Sequence, residues 1–273
     1  MISHTTQSVS KADIFLTCTE ESYYSNELIV QKNTLIRMIS GEMKIILPDA
    51  TYVLGGGDTI FFPHNELAKV MKTHKDGKPY RSVAIYLTPE AVQLYFLKHH
   101  QEPVPPTQKP VIKLMEKHPL LDSLFGSLVP YFDLKNELPE YLAEAKVDEA
   151  ISILKWIDED LFNAISHFEE PGKVNLTEFM EKNFMFNMSM DQFGYLTGRS
   201  LTTFKRDFKR AFSTTPQRWL TQKRLTLAHY QITQHKRKPV EVYLEVGFEN
   251  LSHFSYAFKK QFGYSPSELV ETR

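Results

Sequence analysis

Cysteine is almost missing from this chain of 273 residues. The single Cys18 rules out an intrachain disulfide framework and a cysteine-rich zinc site. It fits a reducing compartment, and a cytoplasmic location is expected. No run of about 18 apolar residues occurs, so no membrane span is expected. The opening MISHTTQSVSKADIF has neither the basic start nor the apolar stretch of a signal peptide. Histidines are scattered: there is no His-x-His, and His64 and His74 are ten residues apart, so a histidine-based metal site is not expected. No nucleophile elbow or phosphate loop appears, and Gly55-Gly56-Gly57 lies between strand-like segments rather than ahead of a helix. Catalytic residues, metal and cofactor are therefore all expected to be none. Charge of one sign is also lacking overall, with a net of −1. That balance hides a split. Residues 173–273 hold 16 Lys and Arg against 9 Asp and Glu, a net of +7, and residues 1–172 carry −8. A basic segment can approach phosphate; an acidic one is repelled.

Residues 10–87 read as short strands. LIRMIS, MKIIL, TYVL, TIFF and RSVAIYL are rich in β-branched and aromatic residues. Turn signals separate them at Ser40-Gly41, Pro48-Asp49, Gly55 to Asp58, Pro63-His64-Asn65 and Asp76-Gly77. A sandwich or barrel is expected. Thr88-Pro89-Glu90 then predicts a helix start, with Thr88 as N-cap and a run to about His100. EPVPPTQKP (102–110) is a connector, and helical pattern resumes at 111–132. From Pro139 to His167, Val147, Ile151, Leu154, Ile157, Leu161 and Ile165 recur at three- and four-residue spacing. This stripe is a candidate dimer contact. Residues 169–173 read as a linker.

The strongest signal is an internal repeat. Leu201, Phe204, Phe208 and Phe212 match Leu251, Phe254, Phe258 and Phe262, and Pro216 matches Pro266, all at an offset of 50. At the same offset, Met190, Phe193 and Leu196 align with Val240, Tyr243 and Val246. Each copy has a helix-turn-helix layout. Ser189 caps a short first helix, Thr197-Gly198-Arg199 turns, and Ser200 caps the second helix. In the other copy a helix begins after Pro239 and runs through Val246, Gly247-Phe248-Glu249 turns, and Asn250 is the cap. Opposite the phenylalanine stripe lie Thr202, Lys205, Arg206 and Lys209 in the first copy, and Ser252, Ser255, Tyr256 and Lys259 in the second. An apolar back with a front of donors and cations is what a DNA recognition helix needs. A single polar helix face is most often simply solvated; two in-register, capped copies in a basic segment favour binding. Expected base contacts are Thr202, Lys205, Arg206, Ser252, His253 and Tyr256. Expected phosphate contacts are Arg199, Ser200, Lys209, Asn250 and Lys259. Between the copies, residues 216–232 form one long helix, with Trp219, Leu220, Leu225, Ala228 and Ile232 packing both units. Recognition helices about 34 Å apart would enter successive major grooves.

At VGFENLSHFSYAFKKQFGYSP (246–266) the chain resembles the AraC/XylS family of bacterial regulators. GRSLTTFKRDFKRAF and TTPQRWLTQKRLTLAHYQI match that family in order and spacing, over about 95 residues. The resemblance implies an α+β chain. A β-rich, cupin-like barrel with trailing helices (1–168) would serve sensing or dimerisation, and an all-α double helix-turn-helix domain (174–273) would bind double-stranded DNA. It also implies an activator that contacts RNA polymerase, forms a homodimer, and answers to a small-molecule effector or a regulatory protein. Two departures stand out: Tyr243 where the family has a small residue, and Val270 where an Arg is common. The alternatives are a cupin-type enzyme or a DNA-repair protein carrying such a tail. The sparse histidines weigh against the first, and the lone Cys18 against the second.

Overall fold

The computed structural model describes residues 6–11, 13–19, 23–106, 109–132, 138–167 and 172–271. The chain divides into two compact units, Met1–Phe168 and Glu169–Arg273.

The first unit has ten strands among its described residues: β1 (Thr6–Lys11), β2 (Ile14–Thr19), β3 (Tyr23–Ile29), β4 (Asn33–Ser40), β5 (Glu42–Ile46), β6 (Thr51–Leu54), β7 (Thr59–Phe62), β8 (Leu67–Thr73), β9 (Tyr80–Leu87) and β10 (Lys113–Met115). All pairings are antiparallel. One sheet runs β1-β2-β9-β4-β7-β10 and the other β3-β8-β5-β6. The larger sheet is covered on both faces. Ile60, Phe62, Met38 and Tyr80 point toward Met43, Ile45, Leu54 and Val70 of the smaller sheet. Leu35, Phe61, Val83 and Ile85 point the other way, into the helices. This explains why TIFF is buried at all four positions, since alternate side chains each find a core.

Among the described residues the unit also has four α-helices, α1 (Pro89–Lys98), α2 (Pro119–Gly126), α3 (Glu140–Ile157) and α4 (Glu159–Ile165), and a 3-10 turn at Val129–Phe132. Thr88 caps α1 through the Ala91 amide. Two expectations change. Residues 113–115 form strand β10 on the edge of β7, so the helix begins only after His118. The long segment breaks at Asp158, whose carboxylate accepts from the Leu161 amide and starts α4. The apolar stripe of α3 and α4 is packed inside this unit: Val147, Ile151, Leu154, Leu161 and Ile165 are buried. It is therefore not available as a dimer contact.

Between the two sheets lies a cavity of about 410 Å³, partly open to solvent and walled by Phe15, Ile36, Phe62, Tyr80 and Tyr86 together with Lys32 and Lys72. The Lys72 ammonium lies 4.9 Å from the centre of the Tyr80 ring. Burial pushes its pKa from the usual 10.5 down to about 8. The unfolded chain keeps this proton up to about pH 10.5, whereas the folded unit releases it near 8. The charged lysine thus handicaps the fold below pH 8, and stability rises as pH climbs from 8 toward 10.5, by about 3 kcal/mol in all. Tyr80, pushed up to about 12 by burial against the opposing Ser82 hydrogen bond, works in the other direction only above its ordinary range. Denaturation of the protein at pH 7.5 and pH 9.5 should show the rise, and Lys72→Met should flatten it while stabilising the unit at the lower pH. An equal slope in the variant would remove Lys72 as the cause.

The second unit consists of helices: α5 (Leu176–Asn183), α6 (Met190–Leu196), α7 (Leu201–Phe212), α8 (Pro216–Gln234), α9 (Pro239–Glu245), α10 (Leu251–Phe262) and α11 (Glu268–Glu271). Of the linker expected at 169–173, residues 169–171 lie outside the described residues. No helix among the described residues is long and apolar enough to cross a membrane.

Candidate nucleic-acid interface

The first helix-turn-helix is α6 and α7. Ser189 and Gln192 close a reciprocal capping box at the start of α6, at 2.9 and 3.2 Å. Ser200 caps α7 by accepting from the Thr203 amide at 3.3 Å. Phe204 and Phe208 are fully buried against Phe193, Trp219 and Leu220. The second copy is α9 and α10. Asn250 accepts from the His253 amide at 2.7 Å, and Phe254 and Phe258 are buried against Leu225, Ala228 and Val242. Both recognition-type helices end in a left-handed residue, Ser213 in one and Gly263 in the other.

The two copies do not keep one offset throughout. The first helices are related by 49 residues: α6 starts at Met190 and α9 at Pro239, and the positive-φ glycines are Gly198 and Gly247. Phe193 therefore corresponds to Val242 rather than to Tyr243. The second turn is one residue longer, and the extra residue is accommodated by Phe248, which is buried and packs 5.3 Å from Phe254. Gly194 is required in the first copy because a Cβ there would lie 2.9 Å from the Arg199 carbonyl oxygen.

Anchoring the phenylalanine stripes fixes what faces outward. Thr202, Lys205, Arg206 and Lys209 are exposed on α7, as are Ser252, His253, Tyr256 and Lys259 on α10. Tyr256 is 68% exposed. Ser200 and Asn250 are exposed at the helix starts. Arg199 behaves differently. Its side chain is only 10% exposed, and its guanidinium donates to Asp207 (3.2 Å) and to the carbonyls of Val174 (3.1 Å) and Thr197 (2.6 Å). It ties the start of the unit and the turn to α7. Burial alone would raise the Asp207 carboxyl, but hydrogen bonds from Arg199 and Arg206 outweigh it and hold that group below its usual range.

A residue not anticipated from the sequence is Arg224, on α8. It is buried, and its guanidinium donates to the carbonyls of Phe184 (2.8 Å), Phe186 (2.7 Å) and Gly247 (2.9 Å). Its position is the signal that could have exposed it. Leu220, Arg224, Ala228 and Ile232 follow one another at intervals of four, so an arginine stands on the apolar stripe of a helix.

The second unit is thus a double helix-turn-helix protein module built around one long helix. A family model described as a helix-turn-helix domain matches residues 196–272, and one described as the ExsA N-terminal regulatory domain matches residues 33–155. Together the two matches support the resemblance to AraC/XylS-family regulators in both units. It is 25% identical over 169 residues to the virulence regulon transcriptional activator VirF of Yersinia enterocolitica, covering 61% of this chain and 62% of that one. It is 25% identical over 241 residues to the HTH-type transcriptional regulator ExsA of Pseudomonas aeruginosa, covering 84% and 83%. The chain thus spans about three-fifths of the length of the VirF relatives it matches. Among solved structures it is similar to an apo point variant of ToxT from Vibrio cholerae, with a TM-score of 0.44, 11% identity, and coverage of 96% and 98%.

Proposed function

We propose that the protein is a cytoplasmic, sequence-specific DNA-binding transcriptional activator and not an enzyme. The observation that carries this reading is the pair of capped helices α7 and α10, each with a buried phenylalanine stripe and an exposed polar and cationic front. Thr202, Lys205 and Arg206 read bases in one major groove, and Ser252, His253 and Tyr256 read the next. Ser200, Lys209, Asn250 and Lys259 meet phosphates, while Arg199 orders the turn from within.

The first unit controls this activity. Its cavity of about 410 Å³ has the size of a small-molecule site, and its mainly aromatic and aliphatic wall with two lysines, Lys32 and Lys72, suits an effector with an apolar body and an acidic group. Homodimerisation belongs to the same reading. It must use a surface other than the buried stripe of α3 and α4, and Tyr141 and Trp156 are exposed on α3. As an activator the protein contacts RNA polymerase.

The reading is tested by transcription in vitro with purified bacterial RNA polymerase, from a promoter bearing the motif that the protein selects. More transcript with the protein than without it is expected. Less transcript would make it a repressor, and no effect of any kind would count against regulation.

A further inference from the structure

The second unit has two hydrophobic cores rather than one. Leu176, Met180, Phe193, Phe204, Phe208, Trp219 and Leu220 form the first. Leu225, Ala228, Ile232, Val242, Phe254 and Phe258 form the second. Both draw on α8, and the change from one to the other falls between Leu220 and Leu225. Two cores strung on one helix leave a degree of freedom, because the second half can tilt or roll about α8 without opening either core.

Arg224 sits at that change-over. The Phe184 and Phe186 carbonyls belong to the segment leading into the first helix-turn-helix, and the Gly247 carbonyl belongs to the turn of the second. One planar guanidinium therefore holds backbone from both halves. Asn187 strengthens the clasp. Its carbonyl oxygen accepts from Arg224 at 3.4 Å, and its amide donates to Glu249, also in the second turn, at 2.8 Å. Gly247 makes the close approach possible: a Cβ there would lie 2.5 Å from the Met185 carbonyl oxygen and 2.8 Å from Nε of Arg224, and its φ is +95°. These contacts are directional hydrogen bonds between rigid backbone segments. They specify a relative position, which a greasy contact does not do as sharply.

We propose that Arg224, with Asn187 and Glu249, is the positioning residue that sets how many base pairs the protein accepts between its two DNA boxes. This rests on the reading of α7 and α10 as recognition helices. Inserting one base pair between the boxes moves the second by about 3.4 Å and turns it by about 35°. A clasped pair of helices cannot follow, and must give up one box or strain the DNA. An unclasped pair can roll about α8 and follow.

The test measures the affinity of the full-length protein for DNA carrying its selected motif, for the same DNA with one base pair inserted between the boxes, and for DNA with the second box scrambled. Wild type is expected to lose about 100-fold on insertion, close to its loss on the scrambled box. Arg224→Met is expected to bind the native spacing about 10-fold more weakly but to lose less than about 10-fold on insertion, with one-box binding unchanged. Asn187→Ala, which leaves the buried guanidinium in place, should relax the spacing in the same direction by less, and serves if Arg224→Met does not fold. An insertion penalty in both variants equal to that of wild type overturns the proposal. So does a wild type indifferent to the insertion, or a variant whose loss is as large on one-box DNA. A wild type that selects no motif would instead overturn the DNA-reading assignment on which the proposal stands.

Discussion

Phe208→Ala is expected to cost about 3–5 kcal/mol and to abolish DNA binding by unfolding the first half of the second unit. The ring is fully buried, with its centre 4.2 Å from Phe212, 5.6 Å from Trp219 and 5.8 Å from Phe204. Removing it opens a hole in a small core whose other walls are rigid rings that collapse poorly. A domain's whole stability is about 5–15 kcal/mol, so the loss is a large part of it. The chain offers a built-in reporter, because its two tryptophans are Trp156, in the first unit, and Trp219, beside Phe208. In a Trp156→Phe background, the emission transition in urea follows Trp219 alone, and Phe208→Ala should move it strongly to lower denaturant. Phe258→Ala, at the same position of the other core, should cost a similar amount but move the Trp219 signal less, as no tryptophan belongs to that core. Equal shifts of the Trp219 transition would mean that the two cores unfold as one.

Lys205→Ala and Arg206→Ala are each expected to weaken specific binding by about 1–3 kcal/mol, roughly 10- to 100-fold, without loss of fold. Both side chains lie on the second turn of α7, opposite the anchored Phe204 and Phe208. Arg206 is engaged before DNA arrives: its Nε is 3.4 Å from an Asp207 oxygen. The contact is cheap to exchange, since the Arg206 side chain is 64% exposed and a surface ion pair contributes little. Asp207 keeps its second partner, Arg199, when Arg206 leaves. Replacing a base contact changes which base is preferred at one position, whereas replacing a phosphate contact, the role proposed for Lys209, weakens all sequences alike and lowers the salt dependence. Binding-site preference measured on a library of single-base variants separates the two. Unchanged preference in both Lys205→Ala and Arg206→Ala would remove them from the base-reading set.

The helices proposed for recognition were legible because their apolar stripe repeats twice with the same residue type, and because caps mark their starts. Phenylalanines at Phe204 and Phe208, then Phe254 and Phe258, can be read without any knowledge of partners. The register of the preceding helices was not, since the one-residue difference in turn length lies in Phe248, which looks like a turn residue until it is seen packed on Phe254. In the first unit the turn residues at Gly41, Gly57 and Asp76-Gly77 showed themselves, and all take positive φ. The strand LAKVMKT did not, because its lysines break the polar alternation, and β10 is a strand only through its pairing with β7. Arg199 and Arg224 show the same limit at the candidate site. A sequence displays a cation beside a turn or on a helix, but whether it faces solvent or is held by carbonyls from residues 174, 184, 186 and 247 depends on contacts distant in the chain.

The central claim, that two recognition helices read two successive major grooves, is tested most directly by selecting genomic DNA fragments with the purified protein at two salt concentrations. The account predicts one enriched motif spanning about two helical turns, with two boxes about ten base pairs apart and an affinity that falls steeply as salt rises. A single short box, or salt-sensitive binding with no motif at all, would contradict it.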